Sequence, residues 1–91
     1  MIINRIITIT GKVQGVFFRG STREMAEQSG VKGEVKNMPD GSVQLIAEGD
    51  EAAVDALIAW CHYGPPRADV KEVKIKEGII KGYKDFSVIR F

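Results

Sequence analysis

The run Gly11-Lys12-Val13-Gln14-Gly15-Val16-Phe17-Phe18-Arg19 is the part of this 91-residue chain best suited to chemistry. It leaves a strand-like segment, Arg5 to Val13, and enters a helix-like one. A strand, a glycine-punctuated loop and then a helix turn successive backbone N–H groups and a helix N-terminus toward one point. Arg19 adds a planar, permanently charged fork that matches phosphate oxygens. The chemistry expected of such a cradle is anion binding. Plainer explanations stand beside it: an arginine near a helix start is commonly a solvated surface residue, and a Gly-x-x-x-Gly loop can simply turn the chain. The run also lacks both Gly-x-x-x-x-Gly-Lys-Ser/Thr and Gly-x-Gly-x-x-Gly, so nucleotide binding in the usual manner is not expected.

Asn37 is the second candidate. It closes a strand-like segment just before Met38-Pro39-Asp40-Gly41, a tight-turn sequence. An asparagine there can bond its own backbone and start the turn. Its amide can equally hold a water, one group accepting and the other donating.

The remaining reactive side chains offer little. The single histidine, His62, follows the single cysteine, Cys61, near the end of a helix-like segment far from the loop in sequence. Cys61 falls on the apolar face of that helix and reads as core. Ser21 and Thr22 suit a helix start, with no base beside them in sequence. The acidic residues form no pair spaced for acid/base work or metal ligation, and one Cys with one His makes structural zinc implausible. Trp60 and Tyr63 close the helix as packing or capping residues. Thirteen basic and twelve acidic residues give a net charge of +1, so no global field selects nucleic acid or anionic lipid. The apolar N-terminus is broken by Asn4 and Arg5, and no stretch approaches the roughly 20 apolar residues of a membrane span. A cytoplasmic chain is the default expectation.

The elements that must position these residues follow from periodicity. Ile7, Ile9 and Val13 share one face of the first strand. Phe18, Thr22, Met25, Ala26 and Ser29 mark the inner stripe of a first helix that Gly30 stops. Its start lies between Phe18 and Thr22, because Ser21 with Glu24 also reads as a capping box that would leave Arg19 in the loop. Val31, Gly33, Val35 and Asn37, then Val43, Leu45 and Ala47, alternate with polar residues on either side of the turn and predict a β-hairpin. Asp50 caps a second helix with Val54, Leu57, Ile58 and Cys61 inside, ended by Gly64-Pro65-Pro66. Val73 and Ile75 mark a strand with one wet face, and after Gly78 to Asp85 a last short strand begins at Phe86.

The order βαββαβ plus a short extra C-terminal strand is the ferredoxin-like split βαβ sandwich, an α+β fold with one antiparallel sheet and two helices on one face. Residues 1–91 are expected to form one domain. In this layout the first and third strands are commonly neighbours, which would bring the loop after strand one near one end of the hairpin.

Three stretches then identify a resemblance: residues 11–19, residues 33–43 (Gly-Glu-Val-Lys-Asn-Met-Pro-Asp-Gly-Ser-Val), and Ala47-Glu48-Gly49. Together with Gly64-Pro65-Pro66-Arg67-Ala68 they resemble the acylphosphatase family over essentially the whole chain. The resemblance implies that the backbone amides of Gln14, Gly15, Val16, Phe17 and Phe18, with the Arg19 guanidinium, bind a phosphoryl group. It implies that Asn37 orients the attacking water, and that the substrate is a small acyl phosphate, released as carboxylate and inorganic phosphate. No metal or cofactor, nucleic acid or membrane is called for, and a monomer is the expectation. Ser21 and Glu34 depart from the family pattern, where aromatic residues are frequent, and both bear on substrate preference and loop packing. Two rival readings remain. One is an RNA-binding module, disfavoured because no Lys/Arg-Gly-Phe/Tyr strand motif occurs. The other is a family domain that has lost turnover, disfavoured because Arg19 and Asn37 are both present. Ile89 and Phe91 are left either packing on the core or facing a partner.

Overall fold

The computed structural model describes residues 1–90. The elements are β1 (Ile2–Lys12), α1 (Phe18–Ser29), β2 (Lys32–Asn37), β3 (Val43–Asp50), α2 (Glu51–Cys61), β4 (Asp69–Glu77) and β5 (Phe86–Ile89). They build one five-stranded sheet in the order β4-β1-β3-β2-β5. The first four strands pair antiparallel, which is the ferredoxin-like core. The extra strand β5 joins the edge at β2 in parallel, so the sheet as a whole is mixed.

Side-chain alternation decides the two faces. Ile7 and Ile9 on β1, Val35 on β2 and Val43, Leu45 and Ala47 on β3 are buried toward the helices. There α1 packs on β2 and β5, and α2 on β1 and β3. Val54, Leu57, Ile58 and Cys61 are the buried residues of α2, as their spacing predicts. On α1 the buried stripe is narrower than expected, running along the i, i+4 row of Phe18, Thr22 and Ala26. Met25 sits at its margin, 36% exposed, and Ser29 is exposed with its hydroxyl folded back onto the Met25 carbonyl at 2.9 Å. Along β4 the expectation of a single wet face understates the exposure. As an edge strand it leaves Ile75 48% exposed, and only Val70 and Val73 are half-buried. Ile89 is half-buried at the end of β5, and Phe91 lies outside the described residues.

The register brings the ends of β1, β2 and β5 and the start of β3 to one end of the sheet. Val43 faces Ile9 across one ladder and Asn37 across the other, so the loop leaving β1 emerges beside the 38–42 turn. Lys36 is level with Ile89, which brings the end of β5 to the same place.

Candidate active site

Three facts make the start of α1 unusual. Phe17, its N-cap, takes a left-handed conformation (φ 66°, ψ 29°) and supplies no side-chain cap. No acidic residue stands in the first turn. Ser21 N–H is the first to close a helical bond, to Phe17 O at 3.1 Å, and among the described residues no hydrogen bond engages the N–H groups from Gly15 to Gly20. This settles the helix start at Phe18: Ser21 lies within the helix, the capping box is not formed, and Arg19 is the second helical residue. Every helix start leaves its first N–H groups without intrahelical partners, and Ser, Thr, Asp or Asn at the N-cap commonly satisfies one of them. Here they remain open beside Arg19.

Two non-helical φ values shape that opening. Gly15 has φ 75°, which its lack of a Cβ tolerates. Phe17 is the sole positive-φ residue other than glycine among the described residues, a conformation that for an aromatic residue costs on the order of 1 kcal/mol. Its ring, 65% exposed, lies against the Cα of Gly20, where any Cβ would collide with it. The neighbouring residues hold the strained turn. Val16 is buried in the core, and the buried Phe18 ring packs on Trp60 at 5.5 Å between centroids. Thr22 Oγ1 donates to Phe18 O at 2.8 Å.

Gln14 joins the loop to the hairpin. Its Nε2 donates to Met38 O and to Ser42 O, both at 2.9 Å, spanning the mouth of the 38–42 turn. That turn is closed by Met38 N–H to Ser42 O (2.8 Å) and tightened by Asp40 Oδ1, which accepts from Ser42 Oγ (2.6 Å) and Ser42 N–H (2.9 Å). The side-chain and backbone bonds from Ser42 hold the Asp40 carboxyl below its ordinary value.

Between loop and hairpin lies a cavity of about 280 Å³ walled by Gly15, Phe17, Phe18, Arg19, Asn37 and Arg90, among others. A second, of about 600 Å³, continues past Arg19 and Asn37 along Lys36, Met38, Pro39 and Ile89. Of the residues singled out in the sequence, Gly15, Phe17, Phe18, Arg19 and Asn37 therefore meet around one space. Gln14 and Val16 are absent from its wall: one braces the hairpin and the other fills the core. Arg19 Nη1 donates to Ile89 O at 3.3 Å, which leaves most of its guanidinium donors free.

His62 is exposed, its Nδ1 3.0 Å from Ile58 O on its own helix. Cys61 is buried, and burial pushes its thiol up to about 12, so it is no nucleophile. Sequence reasoning did not find Arg90 or the groove beyond Asn37. Both come to the site through the parallel pairing of β5, which no local pattern encodes.

The acylphosphatase family model matches residues 5–88 of this chain. The chain belongs to the acylphosphatase family. A curated acylphosphatase of Geobacter sulfurreducens is 51% identical over 89 residues, covering 97% of this chain and 98% of its own. That of Rubrobacter xylanophilus is 55% identical over 71 residues, covering 78% of this chain and 64% of its own. Among solved structures, an acylphosphatase from Coxiella burnetii superposes with a TM-score of 0.93 at 41% identity, covering 97% of this chain and 93% of that one. Members of this family are hydrolases, and membership supports acyl phosphate hydrolysis as the activity of this chain.

Proposed function

We propose that this chain cleaves the carboxyl–phosphate anhydride by direct attack of water on phosphorus. The open N–H groups of the loop and Arg19 would hold the phosphoryl oxygens, and Asn37 would hold the water. The observation that carries the reading is the meeting of Arg19 and Asn37 on the wall of one cavity, beside N–H groups that nothing in the described chain satisfies.

The chemistry suits so sparse a set of groups. Water oxygen bonds to phosphorus as the bond from phosphorus to the bridging oxygen breaks. The electron pair stays on that oxygen, giving a carboxylate, and the protons of water pass to the phosphate product and solvent. A carboxylate leaves without being protonated, so no general acid is needed. The transition state is loose, with charge over three equatorial oxygens, and catalysis rests on positioning and electrostatic stabilisation. Asn37 is half-buried at a strand end, a rigid mount for orienting a water. An alkyl phosphate ester, whose alkoxide leaves poorly, should be a poor substrate. The reading calls on no metal or cofactor, and both side chains come from one chain, so a monomer suffices.

The test is hydrolysis of benzoyl phosphate in excess EDTA and H₂¹⁸O, with p-nitrophenyl phosphate as the control ester. Cleavage of the anhydride with label in phosphate is expected. Label in benzoate would mean attack at the carbonyl carbon, and no turnover by folded protein would remove the reading.

A further inference from the structure

The two cavities share Arg19 and Asn37, so a substrate held across that boundary has its phosphoryl group in one and the rest in the other. We infer that the acyl group lies in the 600 Å³ groove, and that the groove favours acyl groups bearing a carboxylate over those bearing an ammonium, with Lys36 sensing that charge. This rests on the acyl phosphate reading above.

Size and lining carry the argument. The smaller cavity takes in Gly15, Phe17 and Phe18, whose N–H groups suit the phosphoryl oxygens. The larger one has more than twice its volume and far exceeds an acetyl group. Met38, Pro39 and Ile89 give it an apolar wall suited to a hydrocarbon or aryl body. Its charged lining is Arg19 and Lys36, and Arg90 stands in the adjoining cavity. Among the described residues no carboxylate lines either space. The nearest acids along the chain are Glu34, two residues before Lys36, and Asp40, whose Oδ1 already accepts twice from Ser42. Lys36 forms no ion pair with another described residue, and Glu34, which shares its face of β2, stays outside the lining of both cavities. In a partly enclosed groove such a charge acts on a ligand more strongly than in bulk water. A carboxylate is attracted there, and an ammonium is repelled.

Three substrates with equivalent leaving groups read this out: 4-(carboxymethyl)benzoyl, 4-ethylbenzoyl and 4-(aminomethyl)benzoyl phosphate. The methylene insulates the anhydride from the substituent, and the rigid ring prevents cyclisation. At low salt, wild type should favour the carboxylate over the ammonium substrate in kcat/KM by roughly tenfold, the size expected when one ion pair is gained and one repulsion avoided. The ratio should shrink toward one at 1 M salt. It should fall to a few-fold in K36M, persist in K36R and invert in K36E. Equal efficiency for all three in wild type, or an unchanged ratio in K36M, would overturn the inference and leave acyl phosphate hydrolysis standing. Failure to cleave any of the three would remove both.

Discussion

Two places in this molecule line up a row of backbone N–H groups, and they differ in whether the chain supplies an acceptor. At the loop, the N–H groups from Gly15 to Gly20 stay unsatisfied by the described chain. At the opposite face of the sheet, the connection from β4 to β5 aims three successive N–H groups, of Lys81, Gly82 and Tyr83, at Glu48. Those bonds are 2.7, 2.9 and 2.9 Å long, and Asn4 Nδ2 adds a fourth at 3.0 Å. Glu48 is 4% exposed, yet its carboxyl lies below the ordinary 4.5. Burial pushes it up, and the bonds from Asn4 and the three N–H groups more than offset that push. The chain has closed this second cradle with its own side chain, and the result is a clasp that fastens a crossover to the sheet. The first cradle is left open, which weakens a helix start and keeps room for an anion. The same kind of donor row is closed in one place and, on the function proposed above, open to a phosphoryl group in the other.

Removing the Arg19 charge should do the most damage to the open cradle. The phosphoryl-binding role proposed for Arg19 predicts that R19A lowers kcat/KM for benzoyl phosphate by about 10³-fold and weakens inhibition by inorganic phosphate, the effect of losing a charge used in ground and transition states alike. N37A should lower kcat by about 10²-fold while phosphate inhibition stays nearly intact. Equal loss of phosphate affinity in both variants would remove the water-positioning role of Asn37.

Glu48 is the corresponding test of the closed cradle, and it acts on stability. E48A should cost about 2–4 kcal/mol in denaturant unfolding, since four donors lose a charged partner. Unchanged stability would show that water serves the clasp equally well. The pH dependence sharpens this. The folded carboxyl titrates below the unfolded one, so its contribution is fully present above about pH 4.5 and is lost as pH falls through the folded value. The stability difference between wild type and E48Q should therefore narrow toward pH 3. Smallest of all is the effect at Cys61. Alkylating reagents at pH 8 should leave the folded protein unmodified and label it only on unfolding, which mass spectrometry checks.

Much of this was written in local pattern. The hairpin, the inner face of α2, the Asp50 cap and the glycine-punctuated loop followed from periodicity and turn chemistry, because each depends on residues a few positions apart. Gly11 to Arg19 already stood out as a candidate anion loop, and Asn37 by its place before the turn. What pattern left open was whether Arg19 lay in loop or helix; the helix begins at Phe18, whose buried ring packs on Trp60 and whose carbonyl accepts from Thr22 Oγ1. Tertiary structure alone brought Arg19 within one cavity of Asn37, through two ladders and the Gln14 bridge to Met38 and Ser42. It alone set Ile89 and Arg90 at the site and Glu48 under residues 81–83. The reason is physical. Local sequence specifies which groups a segment offers, but the partners of Arg19 and Glu48 lie tens of residues away, and strand register selects among the segments that could reach them.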